Sequence, residues 1–406
     1  MRIAVIGGGA AGLFGAIHAA QQNPQSEITL FEQSKNLLSK LLISGGGRCN
    51  VTHACFENTL LVQNYPRGSR ELRGAFEQFS TTDTVKWFES RGVKLKTEAD
   101  GRMFPVTDNS ETIAQCLLDT AKQAKVKILT GQGVRKIKPL NPGYALEFGD
   151  GNIKNFDRVL CAAGGGPKLA SYAWLSDLGL DIVPPVPSLF TFNIPDKTLH
   201  ALAGISMPDA MMTVKGTHLS QRGPLLITHW GMSGPAILKL SAWGARELYE
   251  LGYRFTVSVC WLPEKKEDAL RADILAIKTE HNRKQVSSMP CFGFAGRLWK
   301  WIIAKAEIGE EVRWADVSKK QINLLVNLLL RMELPVTGKS TFKEEFVTAG
   351  GISLKEINLK TMESKKHPGL YFAGEVLDID GVTGGFNFQA AWTGGYIAGM
   401  NVGGGD

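Results

Sequence analysis

Three glycines near the amino terminus could bring a peptide backbone close to the phosphates of a nucleotide. Gly7, Gly9 and Gly12 fit the spacing G-x-G-x-x-G and stand between the apolar run Ile3 to Ile6 and a segment rich in Ala and Leu. The first glycine allows a tight turn, the second admits a pyrophosphate, and the third allows close helix-to-strand packing. Glu32 ends the next apolar run, where an acidic side chain can accept hydrogen bonds from ribose hydroxyls. These residues predict a dinucleotide-binding βαβ unit.

A second candidate segment near the carboxyl terminus favours FAD over NAD, since both cofactors use that first fingerprint. The apolar run from Leu370 to Ala373 predicts a buried strand, and a helix is predicted from about Asn387 to Met400. Flavoproteins of this kind end a late strand in an acid that binds the ribityl chain. The next helix points its N-terminus at the flavin, where reduction builds negative charge. An ordinary strand and glycine turn is the alternative for this piece. The candidate residues are Gly374, Glu375, Gly385, Asn387 and Phe388.

The chain carries further blocks, in order, that resemble the signatures of the BaiN-like, aminoacetone-oxidase-type FAD-dependent oxidoreductases. The blocks are Lys40 to Asn50, Gly101 to Pro105, Thr228 to Pro235, Thr361 to Lys365 and Gly369 to Asp378. The resemblance implies an α/β fold: a discontinuous, glutathione-reductase-like FAD-binding Rossmann domain with an inserted antiparallel β-barrel-like domain and a small helical cap. The predicted secondary structure changes in type at Pro184-Pro185 and again at residues 335–338, which independently suggests such an interruption. The predicted boundaries are 1–185 with 340–406, 186–263 and 264–339.

The resemblance also extends the set of predicted flavin contacts. It implies that the segment from Ser44, with Lys40 and Asn50, lines the flavin, that Val134 contacts the adenine through its backbone, and that the loop after Ala163 passes the pyrophosphate. The complete predicted set is Gly7, Gly9, Ala10, Ala11, Gly12, Glu32, Gln33, Lys40, Ser44, Gly45, Gly46, Asn50, Val134, Ala163, Gly164, Gly165, Gly374, Glu375, Gly385, Asn387 and Phe388.

Catalytic residues are harder to choose than cofactor contacts. Arg48 could pair with phosphate or an anionic substrate, or could form a structural salt bridge. His229 could relay a proton at the head of a helix capped by Ser233, or could belong to a capping and interface segment. Cys49 and Cys55 stand farther apart than the cysteine pairs of flavin disulfide reductases, so buried, inert thiols are favoured over a redox disulfide. No metal-ligand cluster is visible in the sequence.

Composition bounds the function. The chain has 406 residues, a formal charge of +7 and six cysteines without a C-x-x-C pair, which favours a cytoplasmic protein with reduced thiols, no membrane span and no nucleic-acid arm. We expect an enzyme that uses FAD for two-electron transfer on a small organic substrate. NAD(P)H, as a transient co-substrate, or O₂ would be the other redox partner. The alternatives are a flavin-dependent RNA-modifying protein and a flavin-binding protein without turnover. The substrate and oligomeric state stay open.

Overall fold

The computed structural model describes residues 1–340 and 347–404, which form two compact units. The first unit comprises Met1–Ser188 together with the described residues from 347 onward. The second unit comprises Leu189 and the described residues that follow it, as far as 340. The chain therefore leaves the first unit once, forms the second, and returns.

A seven-stranded sheet forms the centre of the first unit. Its strands are β1 (Arg2–Ile6), β2 (Glu27–Glu32), β3 (Lys127–Thr130), β4 (Arg158–Cys161), β5 (Ile357–Asn358), β6 (Glu363–Ser364) and β7 (Leu370–Phe372). They lie in the order β5-β6-β7-β4-β1-β2-β3, with β7, β4, β1, β2 and β3 parallel. From β1 the chain adds β2 and β3 on one side, and it then crosses to the other side of β1 to form β4. Ligands of such sheets bind outside the carboxyl ends of the strands at that point.

The other strands and helices of the first unit surround this sheet. The strands are Thr52–His53, Leu95–Thr97, Arg102–Pro105, Val134–Pro139, Tyr144–Phe148, Ile153–Phe156, Ile182–Ser188 and Val347–Ile352. The helices are α1 (Ala10–Gln22), α2 (Ser39–Gly47) and α3 (Phe386–Gly403), with Asn58–Leu61, Ser69–Phe76, Thr81–Glu89, Ser110–Gln123 and Ala173–Ser176. Sequence periodicity predicts one helix from Glu71 to Gly92. That prediction is wrong, because Ser80 and Asp83 form a capping box that starts a new helix at Thr81.

Helices α1 and α3 pack on each other through small residues. A Cβ on Gly399 would lie 2.5 Å from the carbonyl oxygen of Gly15, and one on Gly403 would lie 2.6 Å from that of Ala19. Side chains at these positions would push the helices apart. Helix α3 is buried over most of its length, and no helix in the described part of the chain is long and apolar enough to cross a membrane.

The second unit contains a second seven-stranded sheet in which every pairing is antiparallel. Its strands, in spatial order, are Met332–Val336, Phe255–Cys260, Ser206–Val214, Ser220–Thr228, Gly231–Ser233, Thr191–Asn193 and Gly338–Ser340. The two edge strands are consecutive in the chain and are joined by Thr337 alone, so the sheet curves until its edges meet. This is the barrel-like form expected for the insertion.

Helices of the second unit share one hydrophobic core with its sheet. They are Lys197–His200, Pro235–Trp243, Ala245–Glu250, Glu267–Glu280, Gly296–Lys305 and Lys319–Arg331. Val257 and Met212 from the sheet join Leu298 and Leu325 from the helices in a single buried cluster. The division at residue 263 into a β part and a helical cap stays a prediction.

Buried His18 on α1 should make the protein sensitive to mild acid. Its ring is 5% exposed, and burial lowers its pKa from the ordinary 6.5 to about 4, although Nδ1 lies 2.7 Å from the carbonyl oxygen of Phe14. The unfolded chain therefore binds more protons than the folded one between these values. The stability that neutral His18 contributes is fully present above pH 6.5 and is lost as the pH falls toward 4. We expect the free energy of unfolding to drop by about 2 kcal/mol between pH 7 and pH 5.

Urea denaturation at both pH values measures this drop. The variant His18→Phe keeps an aromatic ring in the same contacts with Phe14 and Tyr396 and lacks the titrating group. It should show a smaller pH dependence than the wild type. Equal dependence in both proteins would assign the acid sensitivity to other groups.

Candidate cofactor site

The turn after β1 and the start of α1 form the first wall of the site. A Cβ on Gly7 would lie 2.2 Å from the carbonyl oxygen of Ala162, and one on Gly12 would lie 2.0 Å from that of Gly7. Gly9 is at the N-cap position of α1, so no side chain caps the helix, and its first turn has no acidic residue. The first amides of α1 are thus left for an anionic ligand such as a pyrophosphate.

Glu32 lies at the end of β2 beside this turn. Its two carboxylate oxygens accept the N–H groups of Gly8 and Ser34, each at 2.7 Å. The carboxylate is therefore fixed in position by backbone groups. Each oxygen keeps a lone pair that can accept from a ribose hydroxyl.

The segment after β3 runs alongside the end of β2. The N–H of Gln132 donates to the carbonyl oxygen of Glu32 at 2.9 Å, and a Cβ on Gly133 would lie 3.0 Å from the Cβ of Gln33. Gln33 is exposed, and Val134 begins the next strand. These contacts bring Glu32, Gln33 and Val134 together at one end of the site.

The predicted acid of the late turn is held at the other end. The Lys40 ammonium donates to Oε2 of Glu375 at 2.6 Å, and the N–H of Thr348 donates to Oε1 at 2.8 Å. A Cβ on Gly165 would lie 2.6 Å from the same Oε1. Glu375 thus joins α2, the loop after β4 and the turn after β7.

The loop after β4 and the turn after β7 both approach α1. Ala163 is exposed, and a Cβ on Gly164, whose φ is +78°, would meet nothing within 4 Å. A Cβ on Gly374 would lie 2.7 Å from the Cβ of Ala11. Ala10 and Ala11 are the first residues of α1, so the glycine turn and Glu375 belong to one continuous surface.

The end of α2 departs from helical geometry at the predicted flavin segment. Gly45, Gly46 and Gly47 have φ of +59°, +70° and +83°, a left-handed run that only glycine adopts readily. Cβ atoms on Gly46 and Gly47 would meet nothing within 4 Å. The Ser44 hydroxyl donates to the carbonyl oxygen of Leu41 at 2.9 Å and is also hydrogen-bonded with the buried Cys49 thiol. The run leaves space on one side for a ligand.

The start of α3 is tied to this segment. With its amide oriented as its neighbours require, Asn50 accepts the N–H of Gly385 at 2.9 Å and donates to the carbonyl oxygen of Thr52 at 3.0 Å. Helix α3 has neither a side-chain cap nor an acidic residue in its first turn. Asn50 therefore positions the positive end of the α3 dipole.

Two other predicted residues at the start of α3 use their side chains for structure. Asn387 forms two hydrogen bonds with the backbone of Gly381, at 2.8 and 2.9 Å. Phe388 stacks on Trp392 with ring centroids 5.9 Å apart. Any contact of Asn387 with a cofactor would therefore be made by its backbone.

Thr348 is a further candidate residue that the sequence analysis missed. It lies on the strand Val347–Ile352, and its Oγ1 is buried without a hydrogen-bond partner among the described residues. A Cβ on Gly351, with φ of +130°, would lie 2.5 Å from the carbonyl oxygen of Val376. The Gly350-Gly351 pair thus brings this strand onto the Glu375 turn. The pair was the available sequence signal.

The two weak catalytic candidates lie in different surroundings. Arg48 donates to Glu98 at 2.6 Å and lies over the ring of Phe104 at 4.0 Å, so its guanidinium serves a structural ion pair. His229 is exposed in a turn of the second unit, between two strands. The expectation that Ser233 caps a helix is wrong: Ser233 ends a strand, and Gly234 precedes the helix.

Comparison with known proteins identifies the family. A model described as the HI0933-like protein Rossmann domain matches residues 1–401. The chain belongs to this HI0933-like family. The match confirms the resemblance to FAD-dependent oxidoreductases of the BaiN and aminoacetone oxidase type. As a member of the HI0933-like family, the protein is a flavoprotein oxidoreductase with a Rossmann-type FAD-binding domain, as the sequence predicted.

Two curated relatives are similar to the chain over nearly its whole length. The 3-dehydro-bile acid delta(4,6)-reductase of Clostridium scindens is 29% identical, over 98% of each chain. The ribosomal RNA dihydrouridine synthase of Haemophilus influenzae is also 29% identical, over 98% of this chain and 97% of its own. Among solved structures, the 3-ketosteroid-delta4-(5alpha)-dehydrogenase of Rhodococcus jostii has a TM-score of 0.52 at 12% identity. It covers 99% of this chain and 96% of its own. That likeness concerns the fold.

In this member of the HI0933-like family, the residues of the candidate site fit an FAD molecule. Some glycines of the candidate site have space where a Cβ would stand, and the starts of α1 and α3 have no side-chain cap. A buried hydroxyl without a described partner, Thr348 Oγ1, lies next to Glu375. Among the predicted contacts the open glycines are Gly9, Gly46 and Gly164, and Gly47 next to Gly46 is open as well.

The cysteines of this HI0933-like protein should be poorly reactive where they are buried. All six are free thiols, and burial raises the pKa of Cys49 and of Cys161 to about 12. Cys55 is partly exposed, which corrects the expectation that both members of the Cys49 and Cys55 pair are buried. At pH 8 we expect a thiol reagent to leave Cys49 and Cys161 unmodified until denaturant is added, as measured by mass spectrometry. Rapid native labelling of Cys49 would contradict this.

Proposed function

We propose that the protein is an FAD-dependent reductase that adds two hydrogens to a carbon–carbon double bond conjugated with a carbonyl group in a small organic substrate. The observation that carries this proposal is the shared chemistry of the two relatives. One is named a 3-dehydro-bile acid delta(4,6)-reductase and the other a ribosomal RNA dihydrouridine synthase, and dihydrouridine differs from uridine by saturation of a carbon–carbon double bond conjugated with a carbonyl. When bound, FAD supplies two-electron transfer.

Different residues of the first unit would contact different parts of the cofactor. Gly7, Gly9 and Gly12 and the first amides of α1 would hold the pyrophosphate, and Glu32 would accept from the adenine ribose. Val134 would meet the adenine through its backbone. The loop Ala163 to Gly165 would pass beside the phosphates.

The isoalloxazine end would lie between α2 and α3. Glu375, fixed by Lys40, would accept from the ribityl hydroxyls. The open glycine run at Gly46 would face the ring, and the uncapped start of α3 would stabilise the negative charge that reduction builds there. Gly385, Asn387 and Phe388 would contribute through the backbone.

We propose NAD(P)H as the electron donor. The sequence contains no second G-x-G-x-x-G between a strand and a helix, so a nicotinamide would dock transiently rather than on a domain of its own. Oxidation of an amine with O₂ as the acceptor is the competing use of the same site. A cytoplasmic location agrees with this chemistry and stays a prediction.

Anaerobic spectroscopy tests the proposal. The purified protein is mixed with NADH or NADPH without oxygen, and bleaching of the flavin bands is followed. A 3-keto-4-ene steroid and a simple cyclic enone are then added in separate samples. We expect bleaching by one nicotinamide and recovery of the flavin spectrum with an enone. A flavin that neither donor bleaches, but that an amine reduces, would support the oxidase instead.

A second candidate is a flavin-dependent RNA reductase. It is favoured by two relatives named ribosomal RNA dihydrouridine synthases, of which the Escherichia coli protein is 28% identical over 96% of this chain, and by the net charge of +7. In the same experiment, a ribosomal RNA transcript replaces the enone. Recovery of the spectrum with RNA but not with enones, with binding that weakens steeply as salt rises, would favour this candidate.

A further inference from the structure

Asp380, shortly before the start of α3, forms a buried ion pair that is not part of the predicted flavin contacts. Asp380 is 0% exposed, and both of its carboxylate oxygens accept from the guanidinium of Arg67, which is 14% exposed. Ser188 donates to the same carboxylate at 2.8 Å. Taking such a pair out of water is costly, so its geometry must be tightly fixed.

The chain from Asp380 to α3 is attached to one stretch of sequence. Beyond the Arg67 pair, the N–H of Val382 donates to the carbonyl oxygen of Asn64 at 2.9 Å. The Tyr65 hydroxyl donates to the carbonyl oxygen of Phe386, the first residue of α3, at 2.7 Å. The first turn of α3 therefore follows any displacement of this stretch.

The stretch also contacts the glycines that precede α3. Nδ1 of His53 lies 3.0 Å from the carbonyl oxygen of Gly384, and Asn50 accepts the N–H of Gly385. His53 stacks on the ring of Phe386 with centroids 4.6 Å apart. Residues 50–67 thus contact the segment 380–386, which leads into α3. The two-point pair with Arg67 fixes the Asp380 end of that segment.

We propose that Arg67 is a positioning residue that sets the midpoint potential of the flavin through Asp380. The inference rests on the proposed cofactor site, in which the start of α3 faces the ring. A helix N-terminus stabilises a nearby anion, and the effect decays within one turn. A shift of that turn therefore changes the affinity for reduced flavin more than the affinity for oxidised flavin.

Two variants test this positioning. Arg67→Lys keeps the positive charge but loses the two parallel hydrogen bonds of the guanidinium. Arg67→Met with Asp380→Asn removes both charges while keeping side chains of similar size. In each, we expect the ratio of the affinity for reduced FAD to that for oxidised FAD to fall by about tenfold. For a two-electron couple this is a decrease of about 30 mV in the midpoint potential.

A matched control is available in the second unit. Arg222 forms a two-point pair with Asp209 and is 42% exposed, so Arg222→Lys makes the same chemical change at a pair that has no contact with residues 50–67 or Asp380 in the described hydrogen bonds. It should leave the potential unchanged. Potentials are measured anaerobically against a reference dye, and the affinity of the apo-protein for oxidised FAD is measured separately.

The outcomes separate this inference from the proposed function. If the wild type carries no FAD, the proposed function fails and the inference fails with it. If the wild type carries FAD and both Arg67 variants keep its potential, only the inference is overturned. If neither variant folds, the pair serves folding and the inference is also overturned.

Discussion

Replacing Gly9 by valine is expected to weaken FAD binding strongly while leaving the apo-protein folded. Gly9 has extended backbone geometry, with φ −83° and ψ −171°, and a Cβ there would meet nothing within 4 Å. A Cβ at this position therefore enters open space, which we assign to the pyrophosphate. The ligand would lose charge-assisted hydrogen bonds worth about 1.5 to 3 kcal/mol each. We expect FAD affinity to fall by at least about a hundredfold, which corresponds to about 2.7 kcal/mol.

The neighbouring glycine provides the contrast for this variant. Gly12→Ala puts a Cβ 2.0 Å from the carbonyl oxygen of Gly7, so the backbone itself must move. It should lower the stability of the apo-protein by about 1 to 3 kcal/mol, as overpacking does. Urea denaturation and titration with FAD are measured on both variants. A Gly9→Val protein that binds FAD as tightly as the wild type would place the phosphates elsewhere.

Glu375→Ala is the second variant for which we expect a large effect. Glu375 accepts from Lys40 at 2.6 Å and from the N–H of Thr348 at 2.8 Å. Its loss removes the proposed ribityl acceptor and the group that joins α2 to the late turn. The charge-assisted hydrogen bonds that ribityl hydroxyls would donate to this carboxylate contribute about 1.5 to 3 kcal/mol each and would be lost. We expect FAD affinity to fall by about a hundredfold or more, with flavin lost during purification.

Glu147→Ala is the matched control for this loss. Glu147 pairs with Lys138 at 2.9 Å, both side chains are partly exposed, and neither residue is among the predicted FAD contacts. Such an exposed pair contributes about 0 to 1 kcal/mol. The control should bind FAD like the wild type. Equal loss of FAD in the two variants would point to general destabilisation.

The elements that carry the candidate cofactor residues could be predicted because they follow from short local spacings. The turn at Gly7, the acid Glu32 and the strand before Gly374 each follow from a few neighbouring residues, and the sheet observed between them has the predicted parallel strands. The interruption of the first unit could also be predicted, since the texture of the sequence changes at Pro184-Pro185. Local signals of this kind do not depend on the rest of the fold.

The remaining features depend on contacts between distant parts of the chain. Arg67 and Asp380 are 313 residues apart, and nothing near either residue predicts that Asp380 is buried. Thr348 becomes part of the site only because Gly351 lets its strand meet the Glu375 turn. The sequence pattern predicts one helix across the break before Thr81, but the first helix ends at Phe76 and the capping box at Ser80 starts a second one.

The central claim is that this chain holds FAD in its first unit and uses it to reduce a conjugated double bond. The most direct measurement is a single anaerobic experiment on the purified protein, in which the flavin is identified, reduced with NADPH or NADH, and then challenged with a cyclic enone. The account predicts one FAD per chain, bleaching by a nicotinamide, and recovery of the oxidised spectrum with formation of the saturated ketone. A protein that binds no FAD, or whose reduced flavin no conjugated carbonyl compound reoxidises, would contradict it.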